Sequence, residues 1–263
     1  MTPSEVTALL REHGIRPSKA LGQHFLADNN MAARIVRLAG VRPGDHVVEV
    51  GPGLGALTLA LREAGAHVRA VELDKRLAGV VRGEGFDVVT ADALEVDWAA
   101  VLGDHEHWVM VSNLPYNVAT PVVVRALEEA PSIARFLVMV QREVGERLAS
   151  APGSKAYGAV TVKVAYYADA EVVGTVPPEV FVPRPNVESA LVRLTRRPAP
   201  VAVTDPDRLF SLVRAGFATR RKTLRRALAS EVDAAAFAAA GIDPGARAET
   251  LSLEQWAALA GAA

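Results

Sequence analysis

The sequence predicts an α/β fold, a parallel β-sheet flanked by helices, with a small all-helical domain after it. Three observations carry this. Between Asp45 and about Thr195, short β-branched runs alternate with helical stretches, as in a parallel sheet covered by helices. The first run ends in a glycine-rich turn that opens a helix, the connection at which such sheets place their ligands. Pro198, Pro200 and Pro206 then punctuate a break over 196–206, beyond which Ala-, Leu- and Arg-rich sequence suggests short helices and no strand. The division drawn is 1–197, with an N-terminal helical extension, and 198–263.

The expected strands are 46–50, 67–72, 86–90, 108–112, 135–140, 171–176 and 189–194, rich in side chains that fit a pleated, covered surface. Helical stretches fit between most of them, for example at 54–64, 120–129 and 142–149. Over 156–167, Val160, Val162 and Val164 alternate as in a strand, yet the segment could equally be a helix, and periodicity alone does not decide.

Half of the 263 residues are apolar and 22% are charged, with both signs present, which excludes a mostly disordered chain. No apolar run approaches the roughly 18–20 residues of a membrane helix, and Met1 to Arg11 lacks the apolar stretch of a secretory leader. The absence of cysteine excludes disulfides, thiolate metal sites and a thiolate nucleophile. The six histidines show no H-E-x-x-H spacing, so no metal site is expected. A cytoplasmic protein is the default expectation.

The net charge of −1 is uninformative, but its distribution is not. Between Arg208 and Ser230 lie seven basic residues (Arg208, Arg214, Arg220, Arg221, Lys222, Arg225 and Arg226) and no acid, whereas from Glu231 onward five acids face Arg247 alone. Thr219 reads as a helix N-cap that puts Arg220, Arg221 and Lys222 in a first helical turn, where cations oppose the macrodipole. A helix start crowned with cations suits a polyanion, so a nucleic-acid surface is expected there.

The strongest local signal is Val47-Val48-Glu49-Val50-Gly51-Pro52-Gly53-Leu54-Gly55-Ala56. Glycines let the backbone approach a ligand closely. Gly51-x-Gly53-x-x-Ala56 also satisfies a dinucleotide fingerprint, with Glu72 at the right distance for a ribose diol, so a nicotinamide oxidoreductase stays open at this point. Glu49 leans the other way, because a carboxylate at the strand end opposes a pyrophosphate. It favours S-adenosylmethionine (SAM), which carries a sulfonium and an ammonium. Gly55 adds the alternating third glycine of SAM methyltransferases. Glu72 ends the second strand, suited to ribose hydroxyls, and Asp92 follows the third, suited to an adenine amino group. Asp92 could equally cap the next short helix.

After the fourth strand stands Asn113-Leu114-Pro115-Tyr116. An exocyclic adenine nitrogen is a poor nucleophile because its lone pair is delocalised into the ring. Two acceptors on its N–H bonds, the Asn113 side-chain oxygen and the Leu114 carbonyl, favour the pyramidal form that accepts a methyl group. Pro115 stiffens the turn, and Tyr116 offers a ring for stacking. Such a site works by positioning and electrostatic preorganisation.

The chain resembles the KsgA/RsmA family of small-subunit ribosomal RNA adenine dimethyltransferases over essentially its whole length. The resemblance rests on Lys19-Ala20-Leu21-Gly22-Gln23-His24-Phe25-Leu26, the glycine loop, Glu72, Asp92, Asn113-Leu114-Pro115-Tyr116, Ser154-Lys155-Ala156-Tyr157-Gly158, Phe181-Val182-Pro183-Arg184-Pro185-Asn186-Val187-Glu188-Ser189 and Arg220-Arg221-Lys222-Thr223-Leu224-Arg225. It implies a Rossmann-like, seven-stranded SAM-dependent methyltransferase domain with a small helical rRNA-binding domain after it, and a helix over 156–167. It also implies that Gln23, His24, Leu26, Gly51 and Gly53 hold the methionine end of SAM, Glu72 the ribose, and Asp92 with Ala93 the adenine. Asn113 would touch both the cofactor and the target nitrogen. Arg214, Arg220, Arg221, Lys222, Arg225 and Arg226 would bind RNA. The family pattern usually has Asn where this chain has His24, so a backbone contact survives there and a side-chain contact need not.

Pro177, Pro178, Pro183 and Pro185 stiffen the segment that carries Phe181, which with Tyr116 would sandwich an unstacked adenine, or else belong to the core. The resemblance implies N6,N6-dimethylation of two adjacent adenosines near the 3′ end of 16S rRNA, on a 30S particle, and a monomer is expected. The alternatives weighed are an Erm-type enzyme acting on large-subunit RNA and a non-catalytic, RNA-binding assembly factor.

Overall fold

The computed structural model describes residues 1–18, 21–197 and 203–263. Lys19 and Ala20 of the first motif, Pro198 and Pro200, and the domain boundary drawn at 198 lie outside the described residues.

The chain opens with α1 (Pro3–Glu12), where Thr2 and Glu5 form a reciprocal capping box and Pro3 occupies a position whose N–H has no helical partner in any case. Asp28 caps α2 (Asn29–Ala39) by accepting from the Met31 amide at 2.7 Å, and Gly40 ends it in the left-handed region at φ 62°. The sheet comprises β1 (His46–Val50), β2 (His67–Glu72), β3 (Asp87–Thr90), β4 (Trp108–Asn113), β5 (Ile133–Gln141), β6 (Ala168–Val176) and β7 (Ser189–Arg196). Between strands lie α3 (Ala56–Glu63), α4 (Lys75–Gly83), α5 (Trp98–Leu102), α6 (Ala119–Glu129), α7 (Arg142–Leu148) and α8 (Ala159–Tyr167). The seven strands expected from the sequence are all present, with β6 starting earlier, at Ala168, and β7 running on to Arg196.

The seven strands lie in the order 3-2-1-4-5-7-6. β1 pairs in parallel with β2 and β4, β2 with β3, and β4 with β5, whereas β7 is antiparallel to β5. Strand order reverses between β1 and β4, so the loops leaving their carboxyl ends diverge and open a crevice. Helices cover both faces, and β4 reads accordingly as a nearly continuous buried run from Trp108 to Ser112. Met110 and Val111 are fully buried, each such side chain contributing about 1.5–3 kcal/mol. A separate short antiparallel pair joins Phe25–Leu26 to Phe181–Val182.

The chain divides into two compact units, Met1–Gly145 with Glu171–Arg196, and Glu146–Ala170 with Arg197–Ala263. The second takes in α8, a segment that a single boundary at 197/198 assigns to the first domain. The stretch that periodicity left undecided is helical over Ala159–Tyr167, and its Val162 and Tyr166 pack into a core with Leu209, Leu224, Phe237 and Trp256. That core belongs to α9 (Pro206–Ala218), α10 (Leu224–Ala227), α11 (Ala234–Ala239) and α12 (Leu253–Ala262) as well. Gly216 on α9 admits the Trp256 indole, since a Cβ there would come within 2.6 Å of its ring.

One local expectation is corrected here. Thr219 does not open a helix but closes α9, and residues 220–222 form a turn in which the Lys222 amide donates to the Thr219 carbonyl at 2.8 Å. The next helix starts only at Leu224, because the Leu224 and Arg225 amides are already bonded to the Ala246 and Pro244 carbonyls, at 2.8 and 3.0 Å. The basic triplet therefore sits outside a helical first turn.

At the amino ends of β1 and β2, the His46 ring stacks on His105 with centroids 3.7 Å apart and on His67 at 5.2 Å. Burial, then the neighbouring His105, His67 and Arg69, hold the His46 imidazole below its ordinary range against a weaker upward pull from Asp45. As pH falls through about 6.5, the unfolded chain takes up a proton that the folded one refuses, so stability declines. The urea midpoint should drop between about pH 7.5 and pH 5.5, and His46→Gln should flatten that drop. Parallel curves for the two proteins would remove His46 as the cause.

Candidate active site

The crevice between β1 and β4 is lined by residues from 21–26, from the glycine loop, from the ends of β2 and β3, and from 113–118. Each stands there for a local reason. β1 ends at Glu49-Val50, and the chain turns through Gly51, Gly53 and Gly55 at φ 70°, 59° and 86°, angles that side-chain-bearing residues rarely adopt. Close approach adds to this, since a Cβ on Gly53 would meet the Phe25 ring at 2.9 Å and one on Gly51 would meet Pro115 at 3.2 Å. The glycine loop is thus pressed between two other walls of the crevice. No side chain caps α3, which leaves its first amide donors to a ligand or to water.

Three acids reach the crevice. Glu49 is 1% exposed and its Oε2 has no hydrogen-bond partner among the described residues. Burial, with the Glu72 carboxylate adding to it and the nearby Thr58 hydroxyl opposing, pushes the Glu49 carboxyl up to about 8. Glu72 is also buried, and burial raises its carboxyl too. Its oxygens accept from the Asp74 amide at 2.9 Å and the Gly53 amide at 3.3 Å, which tethers the glycine loop to β2. Asp92 accepts from the Leu94 amide at 2.8 Å, so it closes its own turn while lining the crevice beside Ala93.

On the β4 side, the Asn113 Nδ2 donates to the His24 carbonyl at 3.0 Å, and the Leu114 amide to the Met139 carbonyl at 3.1 Å. Leu114 is buried, Pro115 abuts the glycine loop, and Tyr116 shares a 2.7 Å hydrogen bond with the Ser189 hydroxyl. Burial raises the Tyr116 phenol above its usual range, with Ser189 opposing. The His24 ring lies 5.1 Å from the Tyr116 ring, and its Nδ1–H donates to the Pro183 carbonyl at 2.7 Å. Gln23 spends its Oε1 on the Ser18 amide at 2.8 Å.

Gln23, His24, Leu26, Gly51, Gly53, Glu72, Asp92, Ala93, Asn113, Leu114 and Tyr116 therefore share one crevice. Phe181 does not, and the expectation that it stacks against a base is corrected. Its ring is 2% exposed in the core with Leu137 and Leu191, and its backbone pairs with Leu26, because the stiff proline-rich segment adds an edge to 25–26 and not a wall to the crevice. Two residues received no role from sequence reasoning. Ser189 is 0% exposed and holds Tyr116; a lone polar residue opening an apolar strand was its signal. Gly22, where a Cβ would come within 3.0 Å of the Tyr116 amide, carried only the general signal of a glycine beside a motif. Among the described residues no group of three or more His or acidic side chains could hold a metal, and no helix is long and apolar enough to cross a membrane.

The cations lie in the second unit. Arg214, Arg221, Lys222, Arg225 and Arg226 are exposed, and their side chains have no hydrogen-bond or ion-pair partner among the described residues. Arg220 differs. Its guanidinium bonds Glu249 at 2.9 Å and the carbonyls of Lys155 and Tyr157 at 2.6 and 3.0 Å, inside its own unit.

The family model described as ribosomal RNA adenine dimethylase matches residues 15–262. A ribosomal RNA small subunit methyltransferase A of Thermobifida fusca is 49% identical over 99% of this chain and 95% of its own length. One of Streptomyces coelicolor is 47% identical over 98% and 95%. Among solved structures, the 23S rRNA methyltransferase ErmE superposes with a TM-score of 0.69 at 29% identity, over 90% of this chain and 98% of its own. A dimethyladenosine transferase from Plasmodium falciparum reaches 0.75 at 22% identity over 90% and 96%, a likeness of fold.

The Glu49 carboxyl gives a direct test of this geometry. Its folded value, about 8, exceeds its unfolded one, so its stabilising contribution is complete below about pH 4.5 and lost as pH rises through 8. Glu49→Gln should therefore gain stability relative to the parent over that window, by about 1–3 kcal/mol at the alkaline end. Denaturant midpoints that keep a constant offset from pH 5 to about 9 would show that Glu49 is not buried as described.

Proposed function

The chain belongs to the ribosomal RNA adenine dimethylase family, and from that premise we propose that it transfers methyl groups from SAM to N6 of two adjacent adenosines near the 3′ end of 16S rRNA in the 30S particle. The observation that carries this reading is the 113–116 corner: with Nδ2 held by the His24 carbonyl, Asn113 presents Oδ1 as an acceptor at the crevice. The amino group of a splayed adenine brings two N–H bonds. Asn113 Oδ1 and the Leu114 carbonyl would take one each, drawing the nitrogen toward the pyramidal geometry of the reacting form. Tyr116 would stack on the ring, and such contacts are worth about 1–3 kcal/mol per base. No strong base is required, since the proton leaves after the new N–C bond has formed. Rotating the monomethylated nitrogen presents its lone pair again, which permits a second transfer.

The crevice residues fit SAM. Glu49 supports this most directly: a buried, unpartnered carboxyl on the wall ionises beside a cation and is kept from ionising beside a pyrophosphate, which disfavours the nicotinamide reading. The cofactor supplies a methyl group on an electrophilic sulfonium. Gly51 and Gly53, with Gln23, His24 and Leu26, would bear its methionine end, Glu72 its ribose, and Asp92 with Ala93 its adenine. Gln23 Oε1 and His24 Nδ1 are engaged by Ser18 and Pro183, the Gln23 amide by the Ser18 carbonyl and the His24 carbonyl by Asn113, so these residues would meet the cofactor with their remaining groups. Arg214, Arg221, Lys222, Arg225 and Arg226 would follow the RNA backbone. The enzyme would act in the cytoplasm as a monomer.

An Erm-type activity on large-subunit RNA shares the same crevice chemistry. The higher identity to small-subunit enzymes, 49% against 29%, favours the first target. Incubation with labelled SAM and undermethylated small or large ribosomal subunits, followed by mapping of the modified base, decides between them. Label in the small subunit alone is expected, and label confined to the large subunit overturns the assignment. Asn113→Ala should lower kcat at least about a hundredfold while calorimetry finds SAM binding largely kept. Near-normal activity would remove Asn113 from the reaction.

Neutralising Arg221, Lys222 and Arg225 together should weaken RNA binding and reduce the slope of log Kd against log salt by about 0.7–0.9 for each phosphate no longer neutralised. An unchanged slope would make this patch ordinary solvated surface.

A further inference from the structure

We propose that Ser189 is a positioning residue for base methylation, holding the Tyr116 ring in the plane on which the target adenine stacks. The inference rests on the functional reading above and adds to it a residue outside the crevice wall. With Phe181 in the core and the Phe25 ring buried against Gly53, Tyr116 is the half-buried ring of the crevice wall that a base can stack on. A tyrosine ring swings about two side-chain torsions, and its hydroxyl is the end farthest from the hinge, so a tie there restrains tilt most effectively. Ser189 makes that tie at 2.7 Å.

The anchor is itself rigid. Ser189 is 0% exposed and opens β7, where it lies in register with Gln141 of β5. The Arg142 amide donates to the Glu188 carbonyl at 3.0 Å just before it. The hydroxyl is therefore fixed to the sheet, although the segment leading to it, 181–188, is irregular for most of its length. On the other side the His24 imidazole lies 5.1 Å from the Tyr116 ring and is held by Pro183. Tyr116 is thus constrained at its far end and along its side before any base arrives, which lowers the ordering cost of stacking and keeps the amine in line with the methyl donor.

A double-mutant cycle tests this against a merely structural role. Ser189→Ala and Tyr116→Phe should each lower single-turnover methyl transfer to undermethylated small subunits about tenfold or more, with SAM affinity and melting temperature near those of the parent. In the Tyr116→Phe background, Ser189→Ala should cost nothing further, because its effect passes through the missing hydroxyl. A fully additive loss, or a Ser189→Ala rate within about twofold of the parent, overturns the proposal. Should Ser189→Ala fold poorly, Tyr116→Phe alone remains decisive, and a parental rate for it also overturns the proposal. Wild-type protein that binds SAM yet methylates neither subunit would strike the functional reading itself, a result distinct from all of these.

Discussion

The crevice depends on one join, the antiparallel pairing of Phe25–Leu26 with Phe181–Val182. It extends on one side through the Ala27 amide to the Val180 carbonyl at 2.7 Å, and on the other through His24 Nδ1–H to the Pro183 carbonyl, 159 positions away in sequence. These few hydrogen bonds tie the segment ahead of the sheet, which lines the crevice, to a segment between the last strands, which lies behind it. Phe25 then limits how Gly53 can be substituted, and the His24 carbonyl fixes the Asn113 amide. The glycine loop and the 113–116 corner would stand at adjacent strand ends in any sheet of this order. The join is what orients their side chains.

The electrostatics follow from the same enclosure. Glu49 and Glu72 sit close together under the loop, both buried, with Glu72 satisfied by two amides and Glu49 left with an unpartnered oxygen. A protein selected for stability alone gains nothing from an unpaired buried carboxyl, since its charged form is strongly disfavoured there. That penalty disappears when a cation arrives, so the energy withheld from folding becomes available for binding. A site that discriminates a sulfonium and an ammonium from phosphate would be built in this way, with a carboxyl already dehydrated and ready to ionise against the incoming cation.

Much of the fold was legible because its signals are local. Glycine loop, strand-end acids and the 113–116 tetrapeptide each announce themselves in a few adjacent residues, and a parallel sheet with covered faces writes its strands as β-branched runs. What stayed illegible depends on distant partners. Phe181 carries the same side chain whether it faces a base or a core, and only its pairing with Leu26 decides. Ser189 has no motif chemistry until Tyr116 is found against it. Thr219 precedes a run that looks like a helix start, and the competing bonds from 244–246 that delay α10 to Leu224 are invisible in the run itself. The 156–167 segment shows the same limit: alternating valines suit strand and helix alike, and the surrounding core of Leu209, Phe237 and Trp256 makes it a helix.

A run of basic residues is accordingly not a count of the phosphates it can bind. Arg220 already bonds two carbonyls and Glu249, and Arg208 pairs with Glu231 at 2.5 Å, so either would have to give up internal partners to take a phosphate. That exchange yields little, because the carbonyls left behind would need new donors. Arg214, Arg221, Lys222, Arg225 and Arg226 face no such exchange, and what they give up on meeting RNA is mainly hydration and side-chain freedom. The seven cations of the sequence thus separate physically into two that hold the helical unit together and five that remain available to a polyanion. Arg220 opens the most basic tripeptide of the run and still belongs to the first group.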